Sequence, residues 1–146
     1  MNIINNTPKK KQMNIINNFL KKFMKVSRHH YNNGDEMVHS RCHPVICNDG
    51  FQMSAQVGEQ LYSNPRAYIA EGSYSEAEVG FPSEREPLLD PFVETYSMED
   101  MDYTQRVYPY VPCDVIDAVI EKHLGINESA VIDSILADDQ GSEDNA

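Results

Sequence analysis

The chain has 146 residues, of which 40% are hydrophobic and 24% are charged, and its formal net charge is −11. This length and apolar content predict a single domain with room for tails. No apolar run approaches the roughly 18 residues of a membrane-spanning helix, and no secretory signal pattern is present, so we expect no membrane partner.

The charge divides the chain into two unlike parts. Residues 1–41 contain eight of the twelve basic residues and two of the 23 acidic ones, a charge of +6, and the remainder of the chain carries −17. Clustered lysine and arginine are needed to neutralise a phosphate backbone, and a body this acidic repels one. We therefore expect no DNA or RNA partner.

Residues 1–41 are predicted to form a basic, low-complexity and amphipathic N-terminal extension. An Asn-rich hexapeptide is repeated there, and such low complexity predicts disorder over residues 1–12. Residues 14–26 place apolar side chains at helical spacing and predict an amphipathic helix. That helix would bind a membrane surface or a partner groove. Alternatively, it would dock on its own domain or on a second copy, or form a frayed leader. Residues 28–40 are polar, contain an Asn-Gly pair and are predicted to be a linker.

A β-hairpin is predicted at the start of the folded domain, which we place at residues 42–137. Residues 45–47 are apolar, and the sequence Asn48-Asp49-Gly50 favours a tight turn. Residues 51–57 then alternate between apolar and polar side chains, which is the pattern of a half-buried strand. The apolar set is expected to face the core. The other row faces water or a ligand and consists of Gln52, Ser54 and Gln56.

Three further strands are predicted before the helices. Residues 68–70 suit a brief strand, and residues 74–79 suit a longer one. The last strand covers residues 106–111, where Pro109 requires an edge position or a bulge. On the longer strand, the inward row is predicted to be Ser75, Ala77 and Val79 and the outward row Tyr74, Glu76 and Glu78.

A constrained corner at residues 80–89 joins the last two strands. Gly80 can take a positive φ, and Pro82 fixes its own φ and lacks a backbone donor. Phe81 stands between them, where its ring cannot choose its direction freely. A stiff loop that holds an aromatic ring suits a flat ligand, and it equally suits a structural corner of a small β-rich domain.

Two helices are predicted at the C-terminus. Pro112 opens the first, whose apolar stripe would face the sheet or a second subunit, and Gly125 ends it. Asn127 caps a second, shorter helix, and residues 138–146 are predicted to be an acidic, disordered tail. The stripe consists of Val115, Ile116, Val119, Ile120 and Leu124. The predicted fold is α+β: an antiparallel β-sheet of about five strands followed by one long and one short C-terminal helix.

No residue pattern predicts catalysis or a metal site. Cys113 lies near a helix N-terminus, but His123 is nearly three turns away, and a buried or neutral thiol is expected. His39, Cys42 and Cys47 lack a second ligand pair at zinc-finger spacing. We therefore expect no enzyme and no cofactor, and the odd number of cysteines suits the cytoplasm. The carboxylates around the corner alternate as on a solvated face: Glu76, Glu78, Glu84 and Glu86.

Arginines and aromatic rings occur together in the turns of the acidic body. Arg66 and Arg85 lie in constrained turns, and Arg106 leads into a tyrosine-rich strand. An aromatic ring to stack a base and an arginine to bind a phosphate are the minimal parts of a nucleotide pocket. The alternative is that these arginines pair with neighbouring acids and that the rings fill the core.

Several runs, taken in order over about residues 45–126, resemble a small family of bacteriophage proteins. The runs are Asp49-Gly50-Phe51-x-Met53-Ser54-x-Gln56, Tyr62-Ser63-x-Pro65-Arg66, Glu78-Val79-Gly80-Phe81-Pro82-Ser83, Glu86-Pro87-Leu88-Leu89, Val107-Tyr108-x-Tyr110-Val111-Pro112 and Val119-Ile120-Glu121-Lys122-His123-x-Gly125-Ile126. They are similar to the first type of Thoeris anti-defence proteins, which are nucleotide sponges. Pro109 and Leu124 depart from the family pattern, which has a small residue and a glycine at these two positions.

The resemblance implies a non-catalytic protein of the host bacterial cytoplasm. Such a protein binds and sequesters a cyclic ADP-ribose-type signal made by host immunity, and it assembles as a homo-oligomer. Some members also hold cyclic dinucleotides at a separate site. The ligand-binding residues carried onto this chain are Phe81 for stacking, Arg66 and Arg106 for phosphate, and Tyr62, Asp90 and Tyr110 for ribose or base edges. The alternative, from charge alone, is an acidic protein that inhibits a host defence enzyme by mimicking nucleic acid.

Overall fold

Antiparallel strands and three helices build an α+β fold in residues 14–70, 73–95 and 101–144, which the computed structural model describes. The elements are α1 (Ile15–Phe23), β1 (Met24–His30), β2 (Glu36–Cys42), β3 (Val45–Ile46), β4 (Gln52–Gln56), β5 (Glu76–Gly80), β6 (Val107–Pro112), α2 (Cys113–Lys122) and α3 (Glu128–Asp144). Strands β1 and β2 pair with each other, and the other four form a sheet in the order β3-β4-β5-β6. The predicted fold class is confirmed.

The hairpin predicted at residues 45–57 is present. Val45 pairs with Met53 and Ile46 with Gln52, and the turn between them contains Gly50 at a φ of 95°. The apolar row is buried as predicted, because alternate residues of a strand point to opposite faces of the sheet. The buried row comprises Phe51, Met53, Ala55 and Val57.

The predicted strand at residues 68–70 is absent. Instead, the Tyr74 hydroxyl accepts a hydrogen bond from the Ile69 N–H and donates one to the Ala67 carbonyl, each at 2.9 Å. These bonds satisfy the loop backbone without a neighbouring strand. Tyr74 is therefore buried at 4% exposure, and Ser75 is exposed, which reverses the orientation predicted for both residues. Ala77 and Val79 face the core as predicted.

The last strand, β6, lies at the edge of the sheet, as Pro109 requires. Its pairing with β5 shifts register between Ala77 and Val79, and Tyr110 has a φ of 53° at the same place. The irregularity is a bulge in the edge strand. The proline predicted an edge position or a bulge as alternatives, and the structure has both.

The prediction of a linker at residues 28–40 is wrong. Strands β1 and β2 pair over seven residues each, from Met24↔Cys42 to His30↔Glu36. The Asn-Gly pair forms the turn, with Gly34 at a φ of 90° and the Tyr31 N–H donating to the Asp35 carbonyl at 2.8 Å. The strands were missed because β1 is exposed along almost its whole length, so it lacks the alternation that marks a half-buried strand.

Helix α1 docks on its own domain, which was one of the alternatives left open for it. Ile16, Phe19 and Leu20 are buried in the common core. The helix has no side-chain cap of its own. Instead, Asp117 of α2 accepts a hydrogen bond from the Ile16 N–H at 2.8 Å, which satisfies one of the free donors of the first turn. Burial raises the pKa of this carboxyl, and the N–H groups of α1 oppose that shift.

The C-terminal helices differ from the prediction in length and extent. Asn127 caps α3 as predicted, accepting from the Ala130 N–H at 3.1 Å. However, α3 has 17 residues and α2 has 10, so the second helix is the longer one. It continues through Asp144, and the disordered tail predicted from Asp138 is wrong for residues 138–144. Within the described residues, no helix has the length and apolar character required to cross a bilayer.

Leu124 does not belong to the buried stripe of α2, contrary to the prediction. Its side chain is 69% exposed because the chain leaves the helix there, with Leu124 at a φ of 71° and Gly125 at 84°. A side chain disfavours this left-handed region, whereas glycine does not. Glycine would therefore suit position 124 better than leucine does.

Replacing Leu124 with glycine should stabilise the protein by about 1 kcal/mol, because it relieves left-handed strain and removes little buried area. Urea denaturation of the wild type, Leu124→Gly and Leu124→Ala would measure this. The alanine variant keeps a Cβ atom and should show no such gain. Equal midpoints for the glycine and alanine variants would contradict the explanation.

Candidate functional site

A groove of about 770 Å³ lies between the β1–β2 hairpin and the outer face of the four-stranded sheet. Its volume falls within the range of about 300–1,000 Å³ that small-molecule sites occupy. The hairpin contributes polar and basic side chains: Lys25, Ser27, His39, Ser40 and Arg41. The sheet and its loops contribute a polar row, a carboxylate and a ring: Gln52, Ser54, Gln56, Glu78 and Phe81.

The sheet wall of the groove follows from the alternation of β4. Because Met53 and Ala55 point into the core, Gln52, Ser54 and Gln56 point to the other face. Gln56 then fixes the hairpin to the sheet. Its side chain accepts from the Cys42 N–H and donates to the Cys42 carbonyl, both at 2.8 Å. In the row predicted to face water or a ligand, Gln56 therefore has a structural role, whereas Gln52 and Ser54 remain at the groove surface.

Phe81 stands at the groove in a strained conformation. Its φ is 52°, and its side chain is 56% exposed. The left-handed residue of the corner is thus Phe81 itself, whereas Gly80 does not have a positive φ. A left-handed conformation costs a non-glycine residue about 1–2 kcal/mol, and an exposed ring recovers little of this by burial. Strain at an exposed aromatic residue is typical of a binding position.

The corner that carries Phe81 is attached to both neighbouring strands. The Phe81 N–H donates to the Arg106 carbonyl at 3.1 Å, and the Ser83 N–H donates to the Gln52 carbonyl at 2.8 Å. In return, the Gln52 N–H donates to the Ser83 hydroxyl at 2.9 Å. These bonds fix the backbone on both sides of Phe81, so the Cα–Cβ bond that carries the ring has a set direction before any ligand arrives.

A buried ion cluster fixes the far end of the corner. His123 places Nε2 2.8 Å from Glu86 Oε1 and Nδ1 2.6 Å from Asp49 Oδ2. Lys122 Nζ lies 2.9 Å from the same Glu86 oxygen. Phe51 stacks on the imidazole, with the ring centroids 4.0 Å apart. Glu86 is only 1% exposed, so the prediction that it belongs to a solvated face is wrong.

The partners of the cluster favour its charged forms. Burial alone would lower the pKa of His123, but its hydrogen bonds to Asp49 and Glu86 outweigh that effect and raise the pKa. Burial alone would raise the pKa of Glu86, but hydrogen bonds from Lys122, the Leu88 N–H and His123 lower it. Both imidazole nitrogens donate in the charged form. His123 therefore has no free nitrogen to act as a general base, and its role is structural.

Three of the residues predicted to bind ligand form a separate aromatic cluster. The rings of Tyr62 and Tyr110 lie 5.7 Å apart, and the Arg66 guanidinium lies 5.4 Å from the centre of the Tyr62 ring. The Tyr110 N–H donates to the Tyr62 carbonyl at 3.0 Å. Glu78 connects this cluster to the groove, because it lines the groove and accepts from the Tyr62 N–H at 3.2 Å. None of the three residues lines the groove itself.

The remaining two predicted residues, Asp90 and Arg106, do not line the groove. Asp90 is paired with Arg85 at 2.9 Å, and the Arg85 guanidinium lies 3.9 Å from the centre of the Tyr103 ring. Arg85 is thus held by an acid and an aromatic ring. The Arg106 carbonyl accepts the hydrogen bond from the Phe81 N–H. Hydrogen bonds from Thr104 lower the pKa of Asp102, and the positive charge of Arg106 lowers it further. Of the six predicted residues, the structure places only Phe81 in the groove lining.

A second depression of about 660 Å³ contains a serine, a histidine and an aspartate. His43 Nε2 lies 2.8 Å from Ser134 Oγ, and its Nδ1 lies 3.7 Å from Asp138 Oδ2. The second distance exceeds hydrogen-bond range. Ser134 lies inside α3, where backbone N–H groups bond within the helix and do not point at an oxyanion. The contact is better explained as a link between α3 and the start of β3.

The cysteines of the structure are buried. Burial, with the nearby Asp117 charge, raises the pKa of Cys113 to about 12, and burial raises that of Cys42 to about 12. Thiols with such pKa values are weak nucleophiles at neutral pH. Among the described residues, no group of three or more His, Cys, Asp and Glu side chains is arranged to hold a metal ion.

The groove residues that sequence reasoning missed are Lys25 and Arg41. Lys25 was predicted to lie on the amphipathic helix of residues 14–26, which in the structure ends at Phe23. Arg41 was predicted to end the N-terminal extension, so neither residue was considered as a partner of a pocket in the folded domain. The Asn-Gly turn between two stretches of similar length was the signal that would have revealed the hairpin. Comparison with known proteins adds no residues, because no family model, curated protein or solved structure matches the chain.

The ion cluster should make stability depend on pH in a defined window. The contribution of His123, whose pKa is raised, is complete below its ordinary value of 6.5 and is lost as pH rises through the native pKa. That of Glu86, whose pKa is lowered, is complete above 4.5 and is lost as pH falls through the native pKa. The stability difference between wild type and His123→Gln should therefore be largest from about pH 4.5 to about pH 6.5.

Urea denaturation of both proteins from about pH 3 to about pH 9 would measure this difference. Lys21→Gln, a change at an exposed residue of α1, serves as the control and should show no such maximum. A difference between wild type and His123→Gln that stays constant across the range would contradict the proposed charges of the cluster.

Proposed function

We propose that the protein is a phage-encoded, non-catalytic inhibitor of bacterial immunity that binds and sequesters a cyclic ADP-ribose-type nucleotide in the host bacterial cytoplasm. The observation that carries the proposal is Phe81, a strained and exposed ring at a polar groove of nucleotide size. The resemblance of residues 45–126 to the anti-defence family supports the same ligand class. Phe81 lies within that resemblance.

The groove offers the chemistry that a nucleoside requires. The exposed face of the Phe81 ring can stack a base, an interaction worth about 1–3 kcal/mol. Gln52 and Ser54 lie on the same wall and supply amide and hydroxyl groups for base edges. Glu78 supplies carboxylate oxygens, which accept hydrogen bonds from ribose hydroxyls. Each of these contacts would hold the nucleotide without breaking one of its bonds.

Sequestration is favoured over catalysis by the state of the candidate nucleophiles and bases. Cys113 is buried with a pKa of about 12, and both nitrogens of His123 are occupied by carboxylates. Ser134 lies inside a helix without oxyanion donors beside it. These side chains are suited to structural roles, which supports a protein that holds its ligand intact.

The homo-oligomer implied by the resemblance forms part of the proposal. Two apolar side chains four residues apart on α3 are exposed, with Leu136 at 55% and Ile132 at 42%. Exposed apolar residues that cluster on one part of a surface are typical of protein interfaces. They support self-association through the region of α3.

Capture without cleavage should be directly observable. When the protein is mixed with cyclic ADP-ribose, the free nucleotide should fall, because a sponge binds without chemistry. After heat denaturation, mass spectrometry should recover the nucleotide intact. Recovery of an altered nucleotide would show an enzyme. No depletion before heating would overturn the proposal and favour the acidic interaction inhibitor, which should instead retain a host protein that high salt releases.

Replacing Phe81 should separate binding from stability. Phe81→Gly relieves the left-handed strain and should raise the free energy of unfolding by about 1 kcal/mol. The same change removes the stacking surface and should weaken nucleotide binding by about tenfold or more. Phe81→Tyr keeps both the ring and the strain and should resemble the wild type. Calorimetric titration and urea denaturation measure the two effects, and unchanged binding by Phe81→Gly would exclude the ring from the site.

A further inference from the structure

The β1–β2 hairpin places two cations directly opposite each other at the groove. Lys25 on β1 pairs in register with Arg41 on β2, and both side chains line the groove that contains Phe81. They also line the adjoining depression, so they stand where the two cavities meet. Both residues lie outside the stretch at 45–126 that resembles the anti-defence family.

This arrangement is unfavourable unless an anion accompanies it. Like charges directly opposite each other in an antiparallel pair destabilise the pair. Among the described residues Lys25 makes one ion pair, with Asp139 at 3.7 Å, and both side chains are largely exposed, so the pair contributes little. Asp138 lines the same depression as Lys25, Arg41 and Asp139. Arg41 makes no ion pair or side-chain hydrogen bond with any other residue within the described ranges.

Some cations of the structure are compensated by an acid, whereas Lys21, Arg66 and Arg106, like Arg41, make no ion pair within the described residues. Arg28 on the same hairpin pairs with Glu36, Arg85 pairs with Asp90, and Lys122 pairs with the buried Glu86. The chain has acids in excess, at 23 against twelve basic residues. The chain therefore has enough carboxylates to pair with Arg41, and yet this arginine, which lies opposite Lys25, has no acidic partner among the described residues.

The next pair on the same face of the hairpin adds further hydrogen-bond donors. Ser27 lies opposite His39, and both residues line the groove. A hydroxyl and an imidazole beside two cations give a row of donors along one wall. The facing wall carries the Phe81 ring and the polar row of β4. The cationic and aromatic features thus stand on opposite sides of one cavity.

We propose that Lys25 and Arg41 form an anion site that binds the diphosphate group of a nucleotide whose base stacks on Phe81. The planar guanidinium presents two parallel donors to phosphate oxygens, and the ammonium adds a second charge. The bound anion offsets the repulsion between the two cations. The nucleotide part of this inference rests on the proposed function, whereas the anion site itself does not.

The inference assigns a role to the N-terminal hairpin. Without β1 and β2, the sheet wall would hold the ring and the neutral polar row but would lose the cationic wall. The sheet wall carries the residues of the family resemblance, and the hairpin supplies the charge. The resemblance assigned phosphate binding to Arg66 and Arg106, and neither residue lines the groove.

A pair of double variants tests the site. Lys25→Ala/Arg41→Ala removes the proposed anion partners. Lys21→Ala/Arg28→Ala removes the same two residue types, and hence the same charge, from positions that line neither cavity. Binding of cyclic ADP-ribose and of inorganic pyrophosphate to both variants and to the wild type is measured by calorimetric titration at two salt concentrations.

The first double variant should bind cyclic ADP-ribose about tenfold or more weakly and should lose pyrophosphate binding, because charge-assisted hydrogen bonds to phosphate are removed. Its residual nucleotide binding should depend less on salt. The matched variant should remain within about twofold of the wild type. Pyrophosphate should also raise the thermal midpoint of the wild type and not that of the first variant.

The outcomes separate the two proposals. Equal nucleotide binding by both double variants overturns the anion site and leaves the proposed function in place. Pyrophosphate binding that depends on Lys25 and Arg41, without binding of cyclic ADP-ribose, overturns the proposed function and supports the anion site. Binding of neither probe by the wild type overturns both.

Discussion

The ion cluster at His123 is the constraint on which the presentation of the groove depends. The imidazolium is enclosed by Asp49 from the β3–β4 turn and Glu86 from the corner, and its ring lies against Phe51. Breaking a buried ion pair by removing one partner costs about 3–5 kcal/mol, because the other charge is left buried. The two turns and the end of α2 are therefore held in a single relative arrangement. Lys122 adds a second cation to Glu86 at 2.9 Å.

The cluster explains how the protein tolerates a strained ring at its surface. A left-handed phenylalanine costs about 1–2 kcal/mol, which is less than the cost of disrupting the cluster. The corner between β5 and Glu86 is short and is also bonded to β4 through Ser83. A change of the Phe81 backbone would therefore strain the contacts at one or both ends of the corner. The stability of the buried charges is used to preorganise an exposed aromatic surface, which lowers the ordering cost of binding.

The hairpin changes the interpretation of the charge distribution. A basic N-terminal segment next to an acidic body suggested an appendage, but α1 and β2 contribute to the common core, and Gln56 bonds β2 to the sheet. Two of the positive charges of the segment, Lys25 and Arg41, are thereby brought to one wall of a groove in an otherwise acidic molecule. An anionic ligand would be repelled by most of this surface and attracted at that wall, so electrostatics favours one binding location.

Local patterns in the sequence determined the elements whose signals are periodic or confined to a few residues. The hairpin at residues 45–57, the edge strand at Pro109 and the Asn127 cap were predicted correctly, because alternation, a missing donor and a capping side chain act within a few residues. The charged parts of the site were decided by the tertiary structure alone. In the sequence Glu86 looks like a solvated carboxylate, and only the fold places it in contact with His123, which is 37 residues further along the chain. Strand β1 lacks alternation because it is exposed. Polar groups that pair across a long sequence separation produce no periodic pattern in the sequence. The groove could therefore be recognised only from the packing of the hairpin against the sheet.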